Sequence, residues 1–374
     1  MMQLSYCTNV HPAEDLGGVL EQLHTHAGPA RRAAGLDVLG VGLWMPAALA
    51  STLAADPGAR ARLRAALDGE GLELRTVNAF PYAAFHADVV KLDVYLPDWT
   101  TEERLRATLD AAEVLADLLP EGAEGSISTL PLGWREGWTP ERDAAAEAML
   151  ARLVDGLTEL RARTARTVRI AIEPEPGCIL DTVADIVAWL APRRARIDPE
   201  LIGVCLDTCH LAVSWADPRG AVDEVHAAGL RIVKVQASAA LHVARPGEPA
   251  HRAALAPFAE PRYLHQVRES HPDRGVLPVD DLPDALESLP AEGPWRVHFH
   301  MPLGADAPAP LTATTEVLRQ AVAAVTELYP DDEIHLDVET YTWSVLPEPP
   351  ESLVAGIAAE VRWAHDELIE GRVG

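Results

Sequence analysis

Cysteine is scarce in this sequence, and the chain has neither a leader-like segment nor a hydrophobic run of membrane length. Four cysteines (Cys7, Cys178, Cys205 and Cys209) are too few in 374 residues for a disulfide-stabilised fold and are typical of a reduced compartment. The opening residues lack the basic segment followed by an apolar one that marks a secretory signal. No apolar run approaches the roughly 18 to 20 residues that a membrane span needs. We therefore expect a cytoplasmic protein that does not insert into a membrane.

Basic residues are few relative to acidic ones. The sequence has 31 Lys and Arg residues against 57 Asp and Glu residues, a formal net charge of −26. This charge repels the phosphate backbone of nucleic acids and the anionic surface of membranes. Apolar residues still make up 48% of the chain, so a large core can form and disorder is excluded. A small-molecule substrate fits this composition, and a nucleic-acid partner does not.

The first strand is not followed by a glycine-rich loop. The residues that end it, Cys7-Thr-Asn-Val-His11, contain no glycine. A doubly wound nucleotide-binding sheet places glycines there so that its backbone can approach a pyrophosphate. That fold is therefore disfavoured.

Strand-like apolar segments alternate with amphipathic helical segments along most of the chain. The strand candidates are residues 4–10, 36–44, 74–80, 125–132, 168–175, 202–207, 231–238, 295–301 and 334–341. Their alternation and number predict a (β/α)8 TIM barrel in which residues 1–374 form a single domain. Residues 241–293 have no strong period and predict an inserted lid or rim element. Nine candidates compete for eight places, so either 231–238 or 295–301 lies outside the barrel.

Polar residues cluster where these strands end, at the edge that carries the active site of a TIM barrel. They are Glu173, Glu175, Asp207, His210, Gln236, His298, His300 and Glu339. Buried carboxylates on adjacent strands, such as Glu173 and Asp207, require a cation, a proton or a basic partner. Most of these residues also have a simpler interpretation: Asp207 with His210 as a loop-capping Asp and an incidental rim His, Glu173-Pro-Glu175 as an exposed acidic turn, His298 and His300 as an edge-strand pair, and Glu339 as a structural hydrogen-bond acceptor. Taken together, a Glu, an Asp-x-x-His and a second Glu in strand order favour a metal site.

At these residues the chain resembles the xylose-isomerase-like TIM barrels, which include sugar isomerases, sugar epimerases and nucleases of the endonuclease IV type. The resemblance implies a divalent metal (Mn, Mg, Co or Zn) held by Glu173, by Asp207 with His210, and by Glu339. Where the family usually has a histidine on the next strand, this chain has Gln236. Either Gln236 is a weaker oxygen ligand or His300 takes that place, and Glu175 is an alternative to Glu173.

A closer resemblance extends over nearly the whole chain. It is carried by residues 4–12, 78–82, 172–176, 234–238, 298–302 and 338–343. With these motifs the chain is similar to the EboE-type metabolite traffic proteins of bacterial ebo clusters. The resemblance implies a role in processing or traffic of secondary-metabolite precursors, with other proteins of such a cluster as partners.

Two functions compete on this basis. The first is a metal-dependent isomerase or epimerase of a sugar-like or polyol metabolite, with Glu173 and Glu339 as catalytic residues that move a proton. The second is a non-catalytic metabolite-binding or handover protein, which Gln236 favours. Nuclease activity is disfavoured by the negative charge. The residues predicted to contact substrate are His11, Trp44, Asn78, Tyr82, His86, Lys234, His298, Tyr341 and Trp343.

Overall fold

The computed structural model describes residues 2–83 and 87–372. Eight parallel strands close into a barrel in the order β1-β13-β7-β6-β5-β4-β3-β2, which confirms the predicted TIM barrel. The barrel strands are β1 Met2–Cys7, β2 Leu39–Trp44, β3 Leu72–Asn78, β4 Gly125–Thr129, β5 Val168–Ile172, β6 Ile202–Asp207, β7 Ile232–Ala237 and β13 Ile334–Val338.

Most of the barrel strands are rich in apolar residues because a parallel sheet is covered on both faces, and β3 and β4 are the more polar exceptions. Every residue of β2, β6 and β7 is buried. Around the barrel lie α1 Leu16–Gln22, α2 Gly28–Ala34, α3 Ala47–Ala55, α4 Pro57–Glu70, α5 Glu102–Leu118, α6 Pro140–Thr164, α7 Val183–Leu190, α8 Thr208–Val213, α9 Pro218–Ala227, α12 Thr315–Leu328 and α13 Leu353–Ala364. Within the described residues, none of these helices has both the length and the hydrophobicity required to cross a bilayer.

The topology decides which of the two competing strands belongs to the barrel. β7, within residues 231–238, lies between β6 and β13. The strand at 295–301 is shorter than expected and joins a second, five-stranded sheet, which we call the accessory sheet. This sheet has the order β10-β9-β11-β8-β12 and consists of β8 Leu241–Val243, β9 Val267–His271, β10 Gly275–Val279, β11 Trp295–Val297 and β12 Thr312–Ala313.

The accessory sheet has an apolar core of its own, in which Phe258, Trp295 and Phe299 are almost fully buried. Two helices, α10 Pro249–Leu255 and α11 Leu282–Ser288, belong to the same segment. The segment therefore runs from Leu241 to Ala313 and extends past the 241–293 expected from its composition. It places Tyr263, His298 and His300 over the carboxyl ends of the barrel strands, as the site geometry below shows.

The barrel interior below its mouth is polar. Lys234 Nζ lies 2.9 Å from Asp337 Oδ2, and both side chains are fully buried. Ser5 Oγ donates to Asp337 Oδ1 at 2.6 Å, and Lys234 Nζ donates to Ser128 Oγ at 3.3 Å. These contacts satisfy a buried ion pair that would otherwise be strongly unfavourable.

Candidate metal and substrate site

Asp207 and His210 are placed by the junction between β6 and α8. Asp207 ends the strand and caps the helix, because its Oδ1 accepts the backbone N–H of His210 at 2.8 Å. The same Oδ1 accepts the hydroxyl of Ser238 at 2.9 Å. Asp207 therefore caps a helix rather than a loop, and its Oδ2 remains without a hydrogen-bond partner.

The two glutamates after β5 face the same region. The backbone N–H of Glu173 donates to Thr129 O at 3.0 Å, which continues the barrel ladder to the mouth. Glu175 Oε1 accepts the hydroxyl of Tyr95 at 3.0 Å, and Glu175 Oε2 lies 3.1 Å from His210 Nε2. Both carboxylates are buried, so the acidic turn is not exposed to solvent.

The proton positions on His210 and His298 follow from their hydrogen-bond partners. His210 Nδ1 lies 2.7 Å from the carbonyl oxygen of Pro174, which can only accept, so this nitrogen carries a proton. His298 Nδ1 lies 2.6 Å from Gln266 Oε1, and the Gln266 amide is oriented by its N–H donation to Pro176 O at 2.9 Å. In the neutral forms both Nε2 atoms present lone pairs, yet they are 3.1 Å apart. Such a contact requires a shared proton or a metal cation.

His300 presents a free lone pair in the same way. Its Nδ1 donates to the carbonyl oxygen of Glu339 at 2.7 Å, which leaves Nε2 unprotonated and without a partner. Burial is the main cause that lowers the pKa of His300, to about 4, so the ring is neutral at physiological pH. Nε2 lies 3.8 Å from Asp207 Oδ2. Two unpartnered acceptors therefore face each other across a gap that suits a cation.

Glu339 follows β13 and is held by two amides. Its Oε1 accepts Nδ2–H donors from Asn9 at 2.7 Å and from Asn78 at 2.8 Å. Carboxylate oxygens of Glu339, Glu173 and Asp207 lie within 4.8 Å of one another. Glu173 Oε2 has no hydrogen-bond partner, like Asp207 Oδ2. Three buried carboxylates at this separation need bound protons or a cation to relieve their repulsion.

The electrostatics of the site reflect this excess of negative charge. Burial, and after it the carboxylate of Asp207, raises the pKa of Glu339 to about 8. Burial, and after it Glu339, raises the pKa of Glu173 well above its ordinary value. Burial acts to lower the pKa of His210, but Asp207, Glu175 and Glu173 outweigh it and raise this pKa to about 9. The donor set of carboxylate oxygens and imidazole nitrogens fits Mn²⁺, Co²⁺ or Zn²⁺, and its carboxylates also suit Mg²⁺.

These groups form the floor of a cavity of about 560 Å³ that opens to solvent. The floor carries Glu173, Glu175, His210, His298, His300 and Glu339. Of the predicted substrate contacts, Asn78, His298 and Tyr341 line this cavity.

Gln236 is inside the barrel rather than on the cavity surface. It pairs in register with Asp207 on one side and Asp337 on the other, and it is fully buried. Its Oε1 and Nε2 both lack hydrogen-bond partners. A buried amide with neither atom satisfied is costly, which is consistent with a missing group beside it.

The other predicted substrate contacts that fall within residues 2–83 and 87–372 do not line the cavity. His11 and Trp44 line a separate cavity of about 210 Å³, and Lys234 is bound to Asp337 below the mouth. Trp343 Nε1 donates to Glu360 at 3.1 Å, and the ring of Tyr82 lies 5.4 Å from the Arg104 guanidinium. His86 lies outside the described residues. Within the described residues, His11, Trp44, Tyr82, Lys234 and Trp343 thus lie outside the lining of the main cavity, and their contact with substrate stays a prediction.

Several residues of the site had no signal in the sequence. Tyr95 and Gln266 bind Glu175 or its neighbours, and Tyr263 and Leu264 line the cavity. All four lie in segments without strand or helix periodicity. Tyr95 follows a long excursion after β3, and the other three belong to the segment of the accessory sheet.

Comparison with known proteins gives matches at the level of family and fold. A sequence model of the family described as "Xylose isomerase-like TIM barrel" matches residues 30–321. No curated protein matches the chain. A xylose isomerase-like TIM barrel protein from Mycobacterium smegmatis, solved in complex with magnesium, is 14% identical with a TM-score of 0.54, over 100% of this chain and 98% of that one.

Two further solved structures are similar in shape. An L-ribulose 3-epimerase is 16% identical with a TM-score of 0.52, over 100% of this chain and 96% of that one. A D-tagatose 3-epimerase-like protein is 14% identical with a TM-score of 0.52, over 100% of both chains. At these identities the likeness shows the fold alone.

Proposed function

The chain belongs to the xylose isomerase-like TIM barrel family, and from that membership we propose that it is a divalent-metal-dependent isomerase or epimerase of a sugar-like or polyol metabolite. The observation that carries the proposal is the set of buried acceptor atoms without partners at the barrel mouth. Glu173 Oε2, Asp207 Oδ2 and His300 Nε2 all lack donors. These three residues, with Glu339 and with His210 or Glu175, would hold the ion. When bound, a divalent ion polarises a substrate carbonyl and the hydroxyl beside it.

Glu173 and Glu339 are the proposed catalytic residues because both line the cavity from separate strands. Asn9 and Asn78 fix Oε1 of Glu339 by two N–H donors, which orients the carboxylate and leaves Oε2 available to accept a proton. Glu173 reaches the same cavity from its own strand, so its carboxylate is placed to take part in the proton transfer while it also contacts the ion. Two positioned carboxylates can thus remove a proton from one carbon and return it to the same or the adjacent carbon.

The test is exchange of a carbon-bound hydrogen with solvent. D-Tagatose, D-allulose and L-ribulose would be incubated with Mn²⁺-loaded protein in D₂O and followed by NMR for deuterium next to the carbonyl. We expect exchange with at least one of them, and we expect Glu339→Gln to reduce its rate by roughly 10²- to 10⁴-fold, the usual contribution of a general base. Glu351→Gln, which alters an exposed glutamate, is the matched control. Undiminished exchange in the Glu339 variant would contradict the proton-transfer role.

A carrier function is the second candidate, and Gln236 is the observation that favours it. The family usually has a histidine at this position, and a neutral amide binds a divalent ion more weakly than imidazole does. Metal analysis of the purified protein separates the two candidates. A metal-free chain that binds polyols but exchanges no hydrogen would support the carrier.

We place the chain among the EboE-type metabolite traffic proteins within the family, acting on secondary-metabolite precursors in the cytoplasm alongside other proteins of an ebo-type cluster. The motif at residues 298–302 supports this placement, since it supplies His298 and His300 to the site. We also propose that the whole chain is one domain, with the accessory sheet as an insertion into the barrel.

A further inference from the structure

The upper wall of the cavity differs in chemistry from its floor. The floor is made of carboxylates, imidazoles and amides, whereas the wall is mostly apolar or aromatic. The wall residues that matter here are Phe80, Val90, Val94, Tyr95, Tyr263 and Leu264. A ligand that fills this cavity therefore meets polar groups at one end and apolar groups at the other.

The aromatic part of the wall is held rigidly by ring contacts. Tyr95 packs against Phe80 with their centroids 6.1 Å apart, and it stacks on Trp134 at 5.0 Å. From the accessory segment, Tyr263 meets Tyr341 edge to face at 5.0 Å. Because the rings are ordered by each other, an apolar group can be bound between them with little loss of side-chain entropy.

The cavity offers little to an anionic substituent. Among the described lining residues of the cavity, Lys91 is the only lysine, and there is no arginine. The Lys91 ammonium is paired with Asp281. The floor adds carboxylates, and the chain as a whole has a formal charge of −26. Phosphate recognition normally relies on arginine, lysine or clustered backbone N–H donors. A sugar phosphate would therefore lack a counter-charge at the end of the molecule that extends away from the floor.

From these observations, and resting on the proposed function, we propose that the substrate is an uncharged polyhydroxylated molecule that carries an apolar substituent. Its hydroxyl and carbonyl groups occupy the floor, and its aromatic or alkyl part lies between Phe80, Tyr95 and Tyr263. Free monosaccharides and sugar phosphates are not the preferred ligands.

Calorimetric titration of the full chain in excess MnCl₂ tests this with three probes that share a glucopyranose ring with free hydroxyls at C2, C3 and C4. The probes are D-glucose, D-glucose 6-phosphate and phenyl β-D-glucopyranoside. We expect the phenyl glucoside to bind roughly 10- to 100-fold more tightly than glucose, the gain from burying one phenyl group, and the phosphate to bind no more tightly than glucose. The proposal is overturned if the phosphate binds most tightly, or if the phenyl glucoside shows no advantage, including the case in which no probe binds.

A variant pair connects the result to the wall. Leu264→Asn places a polar group of similar size in the wall and should reduce the ratio of phenyl glucoside affinity to glucose affinity several-fold. Leu92→Asn changes a leucine that is 45% exposed and does not line the cavity, so the ratio should stay as in the wild type.

The outcome is separable from that of the proposed function. A chain that binds Mn²⁺ and exchanges hydrogen, but ranks the probes differently, keeps the enzyme assignment and loses this substrate class. A chain that prefers the phenyl glucoside without binding metal keeps the substrate class and loses the enzyme assignment.

Discussion

At the scale of single residues, His300 and Gln236 are alternative candidates for the same metal-ligand position. The family pattern expects a histidine on the seventh barrel strand, where this chain has Gln236 in β7. His300 comes from the accessory segment and brings Nε2 to 3.8 Å from Asp207 Oδ2. Its Nδ1–H bond to the backbone of Glu339 is the kind of second contact that orients a ligand histidine. We infer that the accessory segment supplies, through His300, the imidazole that β7 does not carry.

A rescue experiment tests this substitution of roles. Loss of a residue that only orients a metal ligand weakens metal binding by roughly 10- to 100-fold. We expect His300→Ala, which removes a ligand itself, to weaken Mn²⁺ binding by at least as much. Adding Gln236→His in the same chain should recover part of the loss, since it restores an imidazole on β7. Calorimetric Mn²⁺ titration is the measurement, and His242→Ala, a histidine of β8 that is half-buried, is the control. Unchanged affinity in His300→Ala would show that the accessory segment does not ligate the ion.

Glu360 in α13 connects an outer helix to the segment that carries Glu339. Its Oε1 accepts the hydroxyl of Thr340 at 2.6 Å and the backbone N–H of Leu303 at 2.8 Å. Its Oε2 accepts Trp343 Nε1–H at 3.1 Å. The side chain is buried, and burial outweighs these donors and raises its pKa to about 7. One helix therefore fixes the backbone on the carboxyl-terminal side of the catalytic candidate.

This raised pKa predicts a pH-dependent stability. The unfolded Glu360 titrates near 4.5, so its stabilising contribution is complete below that pH and is lost as pH rises through about 7. The loss in unfolding free energy is up to about 3 kcal/mol. The side chain of Glu360→Gln cannot titrate. In urea unfolding at pH 5 and pH 8, the free energy of unfolding of this variant should therefore rise relative to that of the wild type as the pH increases. Glu351→Gln, at an exposed site, should show the same pH dependence of the free energy of unfolding as the wild type. If Glu360→Gln also shows the wild-type pH dependence, the raised pKa is not that of Glu360.

The barrel was predictable from the sequence because its strands are buried on both faces and read as apolar runs. Asp207 with His210 could be predicted too, since three residues span one turn between a strand and a helix. The approach of His298 to His210 could not, because 88 residues separate them, and His210 lies in α8 whereas His298 follows β11 of the accessory sheet. Gln266 and Tyr263 gave no pattern at all, since their segment is shaped by contacts with the rest of the fold.

At the scale of the whole molecule, the site joins strands from around the barrel, so cation binding should stabilise the entire fold. An ion that binds only the folded chain adds about 2.7 kcal/mol to unfolding at a concentration 100 times its dissociation constant. We expect Mn²⁺ to raise the melting temperature of the metal-stripped protein by several degrees and EDTA to reverse this. Glu173→Gln should show a reduced shift, measured by calorimetry. An equal shift in that variant would place the ion elsewhere.

The pairing of β1 with β13 has a consequence for how the protein is made. Met2 lies opposite Ile334, and Asn9 donates to Glu339. The first and last strands thus close the barrel, and these contacts have the long sequence separation that slows folding. A nascent chain on the ribosome has synthesised the carboxylates of β5 and β6 well before residue 339 emerges. The proposed metal site is thus completed only after residue 339 has been synthesised, and a chain terminated before Glu339 cannot assemble it.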